Sequence, residues 1–258
     1  MHRLINLFLG CLVLAGFCAR AAEPALRVGM ELGYPPFEMR DAKGEPQGVS
    51  VDLARALATS LGRPLDIQNL PFDGLIASLK TEKIDLILSS MTATEERGRV
   101  IDFSDPYLKT GLCLLVGAKS EAKSIADLNL SGKTIVVKKG TTGHLYAAKN
   151  LRAPKVLVLD KEGAAVLEVV QGKADAFIYD QMSVFSHWKR NQDTTRALLE
   201  PFQQESWAIG LPKGSPLREK VNAFLKSYRE SGGFEKLGDR WLAEQKAEFK
   251  RLGIPFFF

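Results

Sequence analysis

The residues best suited to do chemistry lie between Phe72 and Tyr107, in FDGLIASLKTEKIDLILSSMTATEERGRVIDFSDPY. Residues 84–88 are a short apolar run with one Asp, the pattern of a buried parallel strand. The run leads straight into Ser89-Ser90-Met91-Thr92. Thr94 followed by Glu95 and Glu96 then has the pattern of a capped helix start, with acid at the positive end of the dipole. Arg97 follows one turn later. Hydroxyls and free N–H groups at the carboxyl end of a strand, with an arginine just beyond, stand where open α/β sheets take their ligands. A guanidinium suits a carboxylate or a phosphate there, because its planar fork donates two parallel hydrogen bonds. Taken alone, the segment reads more simply as a capped surface helix with a solvated arginine.

Two other places carry weaker signals of the same kind. The strand pattern at Thr134–Lys138 is followed by Lys139-Gly140-Thr141-Thr142-Gly143 and a helix expected to begin near His144. Unpaired N–H groups at such a junction form an anion site in principle. The spacing is not that of a P-loop, and a capped turn is the default reading. Asp180 ends the apolar strand expected over 174–179; it either caps the helix from Gln181 onward or offers a carboxylate to a pocket, with the cap slightly favoured. Metal-ligand spacing and a nucleophile–base pair are absent from the sequence. Cys113 sits in the apolar run 112–116 and reads as a buried structural thiol. His144 and His187 lie in or beside expected helices without local motif support.

These residues need a scaffold. Leu26, Val28 and Met30 alternate with polar or small residues as a first strand, ended by the stiff loop Gly33-Tyr34-Pro35-Pro36-Phe37-Glu38. Lys43-Gly44-Glu45 makes a turn. A helix from Ser50 or Asp52 puts Leu53, Leu57 and Leu61 on one face and stops at Gly62. A strand over 65–70 and a helix opened by Asp73 and Gly74, with Leu75, Ile76 and Leu79 inward, complete a β-loop-α-β-α-β order. That order calls for a mainly parallel sheet with right-handed crossovers. After Tyr107 the register changes. Strands are expected over 112–116, 134–138 and 155–159, a helical turn over 124–128, a helix over 164–171 and a last strand over 206–211. Ser215-Pro216 opens an amphipathic helix carrying Leu217, Val221, Phe224, Leu225 and Tyr228. Gly232-Gly233 breaks it, Phe234, Leu237 and Trp241 pattern a final helix, and the apolar tail 252–258 is expected to pack on the body.

The chain has 258 residues, 45% hydrophobic and 25% charged, room for one large or two medium domains. Residues 4–18 are uncharged and Leu-rich, with Arg3 before them and Ala19-Arg20-Ala21 after: a secretory signal peptide over 1–21, too short for a membrane span. Bulky Phe17 before Cys18 argues against a lipid anchor. Cleavage removes Arg3 and Arg20 and takes the formal charge from +5 to 33 − 30 = +3. Without a polybasic run, that balance argues against nucleic acid. Cys113 is then the sole cysteine, so the expected product is an exported soluble chain with no internal disulfide.

GYPPFE, GVSVDLARALA, FDGLIASLKTEKIDLILSSMTATEER, IDFSDPY, VKKGTTG, KADAFIYD and GLPKGSPL occur in that order along essentially the whole mature chain. The set resembles the periplasmic amino-acid-binding proteins of polar amino-acid ABC transporters, bacterial solute-binding protein family 3. The resemblance implies the two-lobed type II periplasmic binding protein fold, each lobe a mainly parallel sheet flanked by helices. It puts lobe 1 at 22–107 and 208–258 and lobe 2 at 108–207, the latter including hinge crossovers near 107–111 and 204–207. It implies a small-molecule amino acid as ligand, a membrane permease as partner, no cofactor and a periplasmic monomer.

Residue by residue, Arg97 resembles the arginine that holds the ligand α-carboxylate, and Thr92 and the Thr141–Thr142 loop, closed by Gly143, resemble its helper donors. Ser90, with Met91 beside it, resembles the residue whose carbonyl helps hold the α-ammonium, and Asp180 the carboxylate that pairs with it. Tyr34 and Phe72 resemble the aromatic walls, and Glu31 the acid reaching toward the ligand side chain. Ser90-Met91-Thr92 departs from the family's usual Gly-Met-Thr, and the tail runs past the family's usual end. Burying a zwitterion demands partners for both charges, which Arg97 and Asp180 supply. Glu31 is then left over: either it points away and pairs with a neighbouring Lys or Arg, or a guanidinium stacked between Tyr34 and Phe72 satisfies it. On the second reading the expected ligand is polar or basic, arginine first and glutamine second. The alternative is an enzyme of the cyclohexadienyl or arogenate dehydratase kind, which needs a positioned general acid. Glu31 is the obvious candidate, with no second pocket acid evident.

Overall fold

The computed structural model describes residues 23–255. The expected signal peptide with Cys11 and Cys18, and the last three phenylalanines, lie outside the described residues. The chain opens with β1 (Leu26–Met30), the small hairpin β2 (Met39–Arg40) and β3 (Pro46–Gln47), α1 (Val49–Ser60) and β4 (Leu65–Asn69). Next come α2 (Leu75–Lys80), β5 (Leu86–Ile87), α3 (Glu95–Gly98) and β6 (Asp102–Phe103). The middle of the chain supplies β7 (Leu108–Gly117), β8 (Thr134–Lys138), α4 (Thr142–Asn150), β9 (Lys155–Leu159), α5 (Glu162–Val170), β10 (Ala176–Asp180) and α6 (Gln181–Arg190). β11 (Thr195–Trp207), β12 (Gly210–Leu211), α7 (Leu217–Glu230), α8 (Gly233–Trp241) and α9 (Ala243–Arg251) follow.

Two five-stranded sheets result. The first runs β4-β1-β5-β12-β6, and the second β11-β7-β10-β8-β9. Each is mixed. β4, β1 and β5 are parallel, as are β9, β8 and β10, while β12 lies antiparallel to β5 and β6, and β7 antiparallel to β10 and β11. Leu26, Val28 and Met30 are fully buried, as are Leu53 and Leu57 of α1, so the apolar periodicities lead to the core as their spacing demands.

The longest strands differ most from the expectation. β7 begins at Leu108 and not near 112. β11 has 13 residues, of which only the end was expected as strand. The two pair antiparallel from Leu108↔Trp207 to Gly117↔Thr195, with a register break between Leu198 and Gln203. Gly111 lies beside that break, where a Cβ would come within 2.5 Å of the Gln203 carbonyl oxygen and of Pro201. At the far end Thr92 bridges to Trp207, and Ala208 N–H donates to the Met91 carbonyl at 3.0 Å. β7 and β11 thereby carry the chain from one sheet to the other.

The C-terminal segment also differs. α8 is pinned to α1 by the Trp241 indole N–H on Asp52 at 2.8 Å and by Arg240 on Asp52 at 3.0 Å. A separate helix, α9, then turns toward the second sheet and buries Phe249 edge-on against Phe185 of α6, ring centroids 5.2 Å apart. Of the described tail residues only Ile254 packs on the core, while Leu252 and Pro255 are exposed, so the expected docking of the tail holds at that one residue. Cys113 is buried on β7. Among the described residues no helix is long and apolar enough to cross a membrane.

Candidate functional site

The carboxyl ends of β1 and β5 face those of β8 and β10, and the residues between them line a cleft. Thr94 caps α3 by accepting from the Arg97 backbone N–H at 3.2 Å. This turn aims the Arg97 side chain inward, and it is buried, not solvated. Its Nη1 donates to the Thr92 carbonyl at 2.7 Å, and its Nη2 to the Gly140 carbonyl at 3.0 Å, across the cleft. Burial lowers its pKa to about 10, with the Glu205 carboxylate acting in the opposite direction, so the guanidinium is charged at neutral pH. Gly140 has φ of +75°, and a Cβ there would come 2.9 Å from that of Asp73. Glycine thus permits the close approach of this loop to the facing side.

Asp180 stands opposite. It caps α6 by accepting from the Ser183 N–H at 3.0 Å, and the same Oδ1 accepts from the Tyr34 hydroxyl at 2.6 Å. Cap and pocket carboxylate are therefore one residue, and the two readings of Asp180 coexist. Burial pushes its pKa up to about 7, against the Tyr34 and Ser183 hydrogen bonds.

Three more acids and a lysine share the cleft. Glu38 is almost fully buried and accepts hydroxyl bonds from Ser50 at 2.6 Å, Ser90 at 3.0 Å and Ser89 at 3.3 Å. Desolvation pushes it up to about 8 despite those donors. Ser90 adopts φ of +47°, a left-handed conformation in which glycine is the easy residue, and its hydroxyl goes to Glu38. Glu31 is ion-paired with Lys138, the last residue of β8. The expectation that Glu31 is left over for a ligand side chain is thereby corrected: the chain supplies the partner itself. Phe72 is likewise covered, with Arg97 5.6 Å and Lys138 5.5 Å from its ring centroid. Tyr34 is buried, stacked on Phe37 at 5.5 Å. Glu205 on β11 accepts from Thr92 Oγ1 at 2.9 Å and Thr142 Oγ1 at 3.0 Å, both on Oε2, and from Gln203 Nε2 at 3.0 Å on Oε1.

Of the residues singled out from sequence, Glu31, Tyr34, Phe72, Ser90, Thr92, Arg97, Thr141, Thr142 and Asp180 line this cleft. Met91 does not: it is buried in a core cluster with Leu75 and Ile87. Gly143 does not either: it packs on β10, where a Cβ would meet the Ile178 carbonyl at 2.7 Å. The Thr141 hydroxyl is committed to its own turn, donating to the Lys138 carbonyl at 2.7 Å and capping α4. Helix α4 starts at Thr142, two residues earlier than expected. The sequence reading missed Glu38, Ser89, Leu112, Lys138, Tyr179, Glu205 and Trp207. Its statement that no second acid is evident is corrected by Glu38 and Glu205. Glu38 lies within the quoted GYPPFE motif; nothing local marks Glu205. The two histidines stay outside: His144 Nδ1 accepts from the Gly140 N–H at 3.3 Å, and His187 pairs with Glu162 at 2.7 Å. Among the described residues no cluster of His, Cys, Asp or Glu could hold a metal ion.

Residues 26–244 match the family of bacterial extracellular solute-binding proteins, family 3. The chain belongs to that family. It is 32% identical over 235 residues to the L-arginine-binding protein of Pseudomonas aeruginosa, covering 86% of this chain and 90% of that one. It is 29% identical over 217 residues to the L-cystine-binding protein TcyJ of Escherichia coli K12, covering 84% and 82% respectively. Among solved structures it is similar to the ancestral amino acid-binding protein AncCDT-1, a precursor of cyclohexadienyl dehydratase. That match has a TM-score of 0.78 and 34% identity, over 84% of this chain and 94% of the other. The mixed α/β architecture with two helix-flanked sheets is that of type II periplasmic binding proteins.

Proposed function

We propose that this solute-binding protein is the periplasmic component of an ABC importer that carries a polar or basic L-α-amino acid to a membrane permease. The observation that carries the reading is the placement of Arg97 and Asp180 in the lining of one cleft, each buried. The Arg97 guanidinium is charged and hydrogen-bonds two carbonyl oxygens, which leaves donors for a carboxylate. The Asp180 carboxylate faces it from the opposite sheet at a helix N-terminus. One zwitterion between them answers both charges, which neither group can do alone in a water-poor site.

The ligand side chain is argued from the charge inventory. Glu38, pushed up to about 8, is mostly protonated at neutral pH and adds little charge. Glu31, Asp180 and Glu205 still outnumber Arg97 and Lys138, and Lys138 is taken by Glu31. A cationic side chain redresses that excess, so arginine stands ahead of glutamine. The names of the relatives, for arginine and for cystine, fit an amino acid as cargo. In this reading lobe 1 is 22–107 with 208–258, lobe 2 is 108–207, and they close by bending at the crossovers. Signal-peptide cleavage after Ala21 releases the chain as a periplasmic monomer that binds and does not catalyse.

A thermal-shift screen against the common amino acids, on protein refolded to remove carried ligand, tests this. Ligand at ~100-fold over its dissociation constant stabilises by roughly 2.7 kcal/mol, and arginine is expected to give the largest shift. No shift with any amino acid, together with aromatic product from prephenate or arogenate, overturns the reading in favour of the dehydratase alternative.

A further inference from the structure

The Glu205 carboxylate occupies an unexpected place. The hydroxyls of Thr92 and Thr142, from opposite sides of the cleft, both donate to its Oε2. Arg97 is anchored on the carbonyl of that same Thr92 and on that of Gly140, two residues before Thr142. A carboxylate seated on Arg97 therefore lies among the residues that already hold Glu205. The electrostatics agree: Glu205 is the foremost charge sustaining the Arg97 guanidinium against burial. Glu205 is also fixed in position. It is 8% exposed, sits in the β11 ladder opposite Thr110 of β7, and its second oxygen accepts from Gln203.

We propose that Glu205 is a specificity-determining residue of the cleft, an internal carboxylate that contests the seat of the ligand's α-carboxylate. The inference rests on the amino-acid reading above and adds to it. Two carboxylates on one set of donors repel each other, and low dielectric magnifies the repulsion. The site then favours solutes whose negative charge is offset by a cationic side chain or removed altogether, as in an amino acid amide. It rejects solutes that bring a second carboxylate. Unlike charge, a shape filter would not distinguish an α-carboxylate from its carboxamide, since the two have nearly the same volume.

The test is a cycle of two proteins and two ligands. Calorimetry measures arginine and argininamide on the wild type and on Glu205→Gln; Gln203 can turn its amide to present oxygen to the new side chain. General loosening of the site affects both ligands and cancels in the ratio. The expected result is that Glu205→Gln tightens arginine relative to argininamide by roughly tenfold or more. An equal change for both ligands, or a relative loss for arginine, reduces Glu205 to a structural tie and overturns the proposal. Should Glu205→Gln fail to fold, as judged by its melting, Glu205→Ser gives the same comparison. If another amino acid leads the thermal screen, that amino acid and its amide replace the arginine pair. Binding without coupling removes this inference alone, whereas a wild type that binds no amino acid removes it together with the functional reading.

Discussion

The two sides of the cleft are built differently. On the side of the first sheet, Tyr34 and Glu38 lie in the loop after β1, Phe72 lies beyond β4, and Ser89, Ser90 and Thr92 follow the two-residue β5. Arg97 stands on a helix of four residues. Side-chain bonds over long sequence separations hold this face together, such as the three serines around Glu38 and the Thr92–Glu205 pair. On the side of the second sheet, Lys138 ends a full five-residue strand, and Thr141 and Asp180 are the N-caps of helices of nine and ten residues. The first face therefore rests on side-chain bonds between residues distant in sequence. On the second face, the same backbone positions serve the helices and the site together.

The sharpest way to probe this contrast is to remove the two central charges. Arg97→Ala and Asp180→Ala each leave one charge of a bound zwitterion without its partner. Such losses run to roughly 3–5 kcal/mol, a factor of hundreds or more in affinity. Calorimetry on the folded variants measures it, and near-native binding by either variant removes that residue from the site.

A smaller effect is expected from pH. Asp180 has its pKa pushed up to about 7, so in the free protein it carries a proton over much of the range below that value. An α-ammonium pairs only with the ionised form. Affinity is therefore expected to be lowest at acid pH and to rise as pH increases through about 7. Between pH 5.5 and pH 8.5 the rise is on the order of tenfold or more. Glu38 on the opposite face is held by three hydroxyls, so Glu38→Gln is expected to leave the rise below pH 7 in place. A flat profile in the wild type takes Asp180 out of the role of ammonium partner.

The mildest change concerns the helix cap. Thr141→Ala removes the acceptor of the His144 N–H at the start of α4. It is expected to lower stability by about 1 kcal/mol, while affinity changes by less than about tenfold. Denaturant titration and calorimetry separate the two quantities. A large affinity loss with unchanged stability reverses the contrast between the faces.

Much of this arrangement is legible from local pattern. Thr134–Lys138 and Lys155–Leu159 follow from their apolar runs, and Arg97, Thr92 and Asp180 stand where strand ends and capping signals converge. What escapes local reading depends on distant partners. β11 mixes buried, half-buried and exposed positions over 13 residues and is a strand because β7 pairs with it on both sides of the register break. α9 has the sequence AEQKAEFKR, whose one large apolar residue, Phe249, acquires its meaning from Phe185. The Glu31–Lys138 pair spans 107 positions and the Thr92–Glu205 bond 113, so no motif or spacing announces either. Sequence can nominate a charge for a ligand, yet whether another part of the chain has already neutralised it is decided by tertiary structure.

The last helix ties the two halves of the molecule into one thermodynamic unit. α8 is fastened to α1 beside the first sheet, and α9 leaves it to bury Phe249 against α6 beside the second. Loosening the second sheet exposes Phe249, and loosening the first releases the base from which α9 extends. Each half therefore draws on the other's stability, and heating the intact chain is expected to give a single cooperative melting transition in place of two independent ones.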